Sequence, residues 1–536
     1  MHSHTDTNPT DRRQLLRLAL AAGTTLWLPR SAWSQPQLAG DPFTLGVASG
    51  SPRADSVVLW TRLHATGPFD GSTLPDAAVT VRWELAHDER FTRIAARGQA
   101  QALPELAHSV HAEAAGLSSD RAYFYRFMVG GRDNDWVSPV GRTRTLPAAD
   151  AAVARWRLAY ASCQRWEHGH YAAWRHLVAD APDAVAFLGD YIYEYPGALH
   201  AVRSHGDGWT LTLGDYRRRY ALHKSDAALQ AAHAACPWFV IWDDHEVQND
   251  YAGLAPGDSG PPVPDFAARR AAAYQAFYEH MPLRASVLTR ALAGLASGAE
   301  MRIHGQVRIG RLGSLSLLDA RQHKDPLVCT RGGKPGSAWV DPGTCAPWDD
   351  PARTMLGTAQ EQWLAEALRS SANGGWNLIA QTSVFGARDF KRGAGQALWN
   401  DGWDGYPAAR QRLIDTLRRE RVANPVFLGG DVHENWVGHV KADFADGASA
   451  SVATEFCGTS ITSRSGGNGK TAERLAENPH FVFADAERKG YGLVDLSPQR
   501  LDVTLRVVDH VESPDAQIET LARFAVAAGR PMIERV

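Results

Sequence analysis

Cysteine is scarce in this chain: there are five in 536 residues, beside 18 Trp and 48 Gly. So few thiols exclude a disulfide-dense scaffold, and a chain this long can bury a core without such staples. An excess of one charge is lacking too, since 56 Lys+Arg stand against 59 Asp+Glu, a formal net charge of −3. A binder of nucleic-acid backbone calls for a basic excess or stripe, so that class is not expected. No stretch reaches eighteen uninterrupted apolar residues, and no membrane span is expected in the mature protein. The glycines and 29 Pro follow no period, which argues against collagen-like, disordered and solenoid chains. Several catalytic signatures are missing. There is no Gly-x-Ser-x-Gly, no second His follows His433-Glu434 at zincin spacing, and Arg464 stands where a phosphate-binding loop ending at Gly469-Lys470-Thr471 needs its first Gly. What is present, 44% hydrophobic and 21% charged residues, describes a folded chain of two to four domains.

Residues 1–35 read as an export signal. Arg12-Arg13 precede an apolar stretch from Leu15 to Leu28, interrupted by Arg17, and Pro29 and Ser31-Ala32-Trp33-Ser34 follow. The stretch is too short for a membrane anchor, and the paired arginines predict the twin-arginine (Tat) route and its export machinery, hence a periplasmic or secreted protein. In that oxidising setting Cys329 and Cys345, which flank a Gly/Pro-rich loop, are compatible with a disulfide. Cys163, Cys236 and Cys457 sit in apolar surroundings, where packing is the ordinary explanation.

Over residues 40–147 short alternating segments, Ser56 to Leu63, Val79 to Leu85 and Tyr123 to Val129, predict an N-terminal all-β sandwich of immunoglobulin or fibronectin type III size. It carries no catalytic cluster, so a structural role is expected. Over residues 155–512 apolar strands alternate with helical candidates such as 170–180 and 213–235, the pattern of an α/β catalytic domain with ligands at the strands' carboxyl ends. Residues 513–536 read as an amphipathic C-terminal helix packed on the surface.

Four strand ends present chemistry: Cys163; Asp190 with Tyr193; Asp243, Asp244 and His245; and Asp431 with His433. One Asp after a strand is an ordinary cap or turn residue. Several converging carboxylates with a thiol, a phenol and histidines would repel or stay unpaired without a cation. Asp190, Asp244 and Asp431 offer hard oxygen, suited to Ca²⁺, Mg²⁺ or Mn²⁺. Cys163, Tyr193 and His433 suit a transition ion, and phenolate favours Fe³⁺. Two metals about 3.5–4 Å apart need a shared carboxylate, and Asp190, within Gly189-Asp190-Tyr191-Ile192-Tyr193, is the candidate.

These segments resemble the metallophosphoesterase motifs of purple acid phosphatases, and more closely the bacterial PhoD-like alkaline phosphatase/phosphodiesterase family. Phe43 to Pro52, Val57 to Arg62, Ser162-Cys163-Gln164, Trp242 to Glu246, Asp319 to Gln322, Glu455 to Ser460, Asn478-Pro479-His480 and Gly490-Tyr491 follow the family pattern in order across nearly the whole mature chain. The resemblance implies an α/β metallophosphoesterase-type β-sandwich flanked by helices, and an exported enzyme that cleaves phosphate monoesters and diesters at alkaline pH with Fe³⁺ and Ca²⁺. Carried over, Cys163, Asp190, Tyr193 and His433 would hold iron, and Asp190, Asp244 and Asp431 calcium. Asn249 and Asp250 are candidates for a further calcium, with a solvated loop as the plainer expectation. Attack by a metal-bound hydroxide, His245 as proton donor to the leaving group and Arg321 forked onto a phosphate oxygen complete the expected mechanism. For Arg321 a salt-bridged surface position is an equal alternative. Phospholipid or teichoic-acid-like diesters are candidate substrates, and phospholipase D or phosphotriesterase activity at the same centre is the rival reading within the enzyme class.

Overall fold

The computed structural model describes residues 38, 40–64, 74, 76–130, 135–198, 200–206, 208–288, 300–371 and 374–536. The expected export signal lies outside them. Among the described residues no helix is long and apolar enough to cross a membrane.

Two large sheets form the catalytic layers. The first runs, in spatial order, Ile533–Arg535, Ile518–Ala527, Arg500–Val508, Lys489–Leu496, Trp156–Ala161, Ala184–Leu188, Pro237–Ile241, Val47–Gly50, Ser56–Arg62 and Ser109–Ala115. The second runs Gly305–Ile309, Gly313–Leu317, Trp376–Ala380, Pro425–Gly429, Ser451–Cys457, Asn435–Lys441 and Phe481–Asp485. The strands Trp156–Ala161, Ala184–Leu188 and Pro237–Ile241 pair in parallel. The last two of these are buried at every position, which explains their unbroken apolar runs: both faces of a parallel strand are covered. One buried cluster takes in Leu158 and Val494 from the middle of the first sheet, together with Leu378, Leu428 and Phe456 of the second.

Helices close the outer faces. Ala172–Asp180, Leu213–Lys224, Ala227–Ala235 and Phe266–His280 lie against the first sheet, with Trp174, Tyr220, Leu229 and Phe277 in its core cluster. Thr358–Ser370 and Pro407–Arg419 cover the second, setting Leu364, Leu413 and Ile414 against Ile379 and Phe427. The helix expected over 213–235 is two. Ser225 ends the first, and Asp226 caps the second by accepting from the Ala228 and Leu229 amides (3.0 and 3.1 Å).

The N-terminal β region shares strands with the first large sheet. A smaller sheet, Ile94–Ala102, Val79–Ala86, Ala122–Val129 and Trp136–Val137 with Gly141–Arg144, faces strands that belong to the first large sheet. Leu59 and Val110 share a core with Val81 and Tyr125. Val47–Gly50 pairs in parallel with Pro237–Ile241, so the sandwich and the catalytic layer have a sheet in common.

The C-terminal segment expected as a helix is a strand instead. Ile518–Ala527 pairs antiparallel with Arg500–Val508, and Ile533–Arg535 forms the sheet edge. The alanine-rich composition reads as helix, yet Ala522, Phe524 and Val526 at period two are buried, and tertiary pairing outweighs the local preference.

Candidate metal centre

The site lies where four strands end. Cys163 follows Trp156–Ala161, Asp190 follows Ala184–Leu188, Asp243 to His245 follow Pro237–Ile241, and Asp431 and His433 follow Pro425–Gly429. The chain turns sharply there. Cys163, Asp190, Asp431 and His433 have φ of 59°, 58°, 67° and 58°, the left-handed region that side-chain-bearing residues seldom occupy. Gly189 is required beside them: at φ 94° a Cβ there would stand 2.5 Å from Asp243 Cβ. Two strand ends therefore approach closely, and Glu246 ties them. Its carboxylate accepts from the amides of Asp190 (3.1 Å), Tyr191 (2.6 Å) and Asp243 (2.8 Å).

Four overlapping groups of ligand atoms, each within 4.8 Å of one another, result: Cys163, Asp190 and His433; Asp190, Asp244 and His245; Asp190, Asp243, Asp244 and Asp431; and Asp244, Asp250 and Asp401. Asp190 belongs to three of the four.

One half is kept neutral by its surroundings. The Tyr193 hydroxyl donates to Asp190 Oδ2 (3.0 Å) and lies 3.2 Å from His433 Nε2. Burial, followed by Asp190, holds the Cys163 and Tyr193 pKa values well above their ordinary ranges. His433 Nδ1 sits 2.8 Å from the Arg464 carbonyl. A carbonyl only accepts, so Nδ1 carries the proton and Nε2 presents its lone pair to the group. Burial is the main cause that pushes the His433 pKa down to about 3 and keeps the ring neutral.

The other half is acidic and cross-braced by cations. Arg321, 1% exposed, directs Nε to Asp243 and forks Nη1 and Nη2 onto Asp401 at 2.8 and 2.7 Å, with Nη2 also 3.7 Å from Asp244. The guanidinium is thus ion-paired with carboxylates, but buried rather than at the surface. Lys324 Nζ donates to the Asp401 carboxylate and carbonyl, both at 2.6 Å. Burial raises the pKa of Asp401 and Asp244, but Arg321 leads the opposing charges and both end low. His245 Nδ1 lies 2.7 Å from Glu194 Oε2, whose carboxylate also accepts from the Asn249 amide (2.8 Å) and Ser259 Oγ (2.5 Å).

Several placements depart from expectation. Asp250 is buried, not on a solvated loop: burial and then Asp401 push its pKa to about 7, and its Oδ2 accepts from Ser337 N (2.9 Å) and Oγ (2.5 Å). Asn249 turns away to Asp258. Ser337 lies in the loop closed by a Cys329–Cys345 disulfide. Asp401 and Asp243 escaped the ligand reading. Asp243 was visible beside Asp244, whereas Asp401 follows the short strand Leu398–Trp399, which pairs with the distant Trp339–Val340.

The donor set fits cations. Asp190 Oδ1 and Asp243 Oδ2 are buried and have no hydrogen-bond partner among the described residues. Burial, then neighbouring carboxylates, drives the Asp190 and Asp431 pKa values far up. Such groups stay protonated or accept positive charge from outside.

The PhoD-like phosphatase family model matches residues 158–505, and the model for that family's N-terminal domain matches 30–147. The chain belongs to the PhoD-like phosphatase family. It is 42% identical to alkaline phosphatase D of Bacillus subtilis (strain 168) over 99% of this chain and 90% of that protein. It superimposes on the solved structure of PhoD with a TM-score of 0.86, at 43% identity, covering 94% of this chain and 93% of that one. A purple acid phosphatase from yellow lupin seeds shares the fold at a TM-score of 0.52 and 11% identity, over 90% of this chain and 74% of that one. The PhoD-like chain is a phosphoric ester hydrolase with a metallophosphoesterase-type fold and an N-terminal all-β domain, and its acidic and histidine groups are suited to a metal cofactor.

Proposed function

We propose that this phosphatase is an exported alkaline phosphatase and phosphodiesterase whose centre uses Fe³⁺ at Cys163, Asp190, Tyr193 and His433 and Ca²⁺ at Asp190, Asp244 and Asp431, with Asp250 and Asp401 serving a further calcium. Residues 1–35 carry the export signal, 40–147 the structural β region and 155–512 the catalytic domain. The observation that carries this reading is Asp190: its carboxylate is common to the Cys163/His433 group and to two of the groups that contain Asp244, which is what a shared ligand between unlike cations requires.

Bound cations there supply neutralisation of phosphate oxygens and a nucleophile drawn from water near neutral pH. The chain does the rest. Asp190, Asp244 and Asp431 fix the cations' positions, and Glu246 holds the loops that carry the first two. His433 keeps its Nε2 lone pair inward because Arg464 fixes the opposite nitrogen. His245, held by Glu194 through Nδ1, turns its other nitrogen to the site and delivers a proton to the leaving oxygen. Arg321 and Lys324 act as positioning residues that keep Asp243 and Asp401 from repelling Asp244. No protein nucleophile is needed.

Elemental analysis of the purified protein, beside rates on p-nitrophenyl phosphate and bis-p-nitrophenyl phosphate, tests the reading. Iron and calcium with turnover of both esters, lost on calcium chelation, is expected. Stoichiometric zinc without iron sinks the ligand assignment, and cleavage confined to phospholipids or phosphotriesters favours the rival activity.

A further inference from the structure

Arg165 is a cation at the rim of this centre that the chemistry above leaves unused. Its backbone is fixed: its N–H donates to Ser463 Oγ (3.2 Å) and its carbonyl accepts from Thr462 Oγ1 (2.8 Å). Its guanidinium carbon lies 4.7 Å from the ring centroid of Tyr195 and 5.6 Å from that of Tyr193, the phenol whose oxygen meets Asp190 and His433. Its carboxylate neighbour is Glu167, whose Oε1 is 3.5 Å from Nη2, and His205 Nε2 holds that same oxygen more closely at 2.9 Å. Nε is buried and has no hydrogen-bond partner among the described residues. The side chain is 18% exposed, so water meets only part of the fork. The surroundings are basic as well, since Arg165, Arg464 and Lys489 all bear on the His168 ring.

A guanidinium offers five donors in a rigid plane, and leaving one buried without an acceptor costs free energy that an anion would recover. The cations proposed for the carboxylate-lined centre would supply the scissile phosphoryl group's counter-charge. The anion that suits Arg165 is therefore another group of the same molecule, one phenol ring away.

We propose that Arg165 forms an anion subsite beside the centre, which binds a second phosphate or carboxylate group carried on the substrate's ester substituent and so selects polyanionic phosphate esters. The proposal rests on the phosphatase reading, because the first phosphate uses that same centre.

Calorimetric binding of propyl phosphate, propane-1,3-diyl bisphosphate and 4-phosphonooxybutanoate, each with a methylene group in place of its ester oxygen to block hydrolysis, to the metal-loaded full chain reads the subsite directly. At least one doubly anionic ligand is expected to bind about tenfold tighter than propyl phosphate, the scale of one charge-assisted hydrogen bond. The phosphate and carboxylate probes then tell which group the fork prefers. In Arg165→Gln, or Arg165→Met should the first variant not fold, the preference is expected to fall to about threefold or less. A preference that survives in the neutral variant, or none in the wild type although propyl phosphate binds, overturns the subsite alone. Failure to bind propyl phosphate, with no turnover of any phosphate ester, overturns both readings together.

Discussion

The two halves of the centre solve the same problem of buried charge in opposite ways. Around Cys163, Tyr193 and His433 the donors are groups that burial keeps uncharged, so a cation held there would displace the thiol and phenol protons. Around Asp244 and Asp401 the donors are carboxylates, and Arg321 and Lys324 compensate them within the fold. One half is a set of latent ligands; the other is a charge lattice whose members already depend on one another. Perturbing each half should therefore give different signatures.

The largest effect is expected where the halves meet. Asp190→Asn should lower kcat/KM by about 10³-fold or more on both monoester and diester, since the proposed function makes it the ligand common to both ions, on which several kcal/mol of charge stabilisation would depend; retention of either activity would separate the halves. Next comes the charge lattice. Arg321→Met leaves Asp243 buried without its counter-charge and Asp401 with Lys324 alone, and should destabilise the metal-free protein by about 3–5 kcal/mol in urea unfolding. Cys163→Ser, in the neutral half, should leave the urea midpoint close to that of the wild type while abolishing binding of the transition ion. His245→Asn should cost about 10²-fold in kcat, more for an alkyl leaving group than for p-nitrophenolate, which needs less protonation; equal losses for both would remove His245 from that role. The halves should also differ in pH response. Because the Cys163 and Tyr193 pKa values are raised, affinity of the neutral half for a cation should strengthen as pH rises, by about tenfold per pH unit for each proton released. Calorimetry in buffers of different ionisation enthalpy measures that release. The smallest effect belongs to the disulfide loop, where Ser337→Ala should cost about 1 kcal/mol through its hydroxyl bond to Asp250.

The latent half was the more legible from sequence. Its members each follow an apolar strand within a few residues, so local pattern alone put Cys163, Asp190 and His433 on one rim. The charge lattice was less so. Arg321 follows a strand and invites a phosphate-binding role, but its partner Asp401 is 80 positions further along, so no local signal marks the pair. Asp250 looked solvated because the loop that buries it, through Ser337, is distant in sequence. At the C-terminus the composition of 514–528 favoured a helix, and only the open edge at Arg500–Val508 made a strand of it.

By itself the sequence determined which side chains arrive at the carboxyl ends of the strands, because a strand's length, its apolar run and the turn that stops it are all local. The tertiary structure alone decided which of those side chains remain uncharged and which are held by Arg321 and Lys324. Protonation depends on burial and on neighbours within a few ångströms, and those neighbours come from segments that the chain order does not place together.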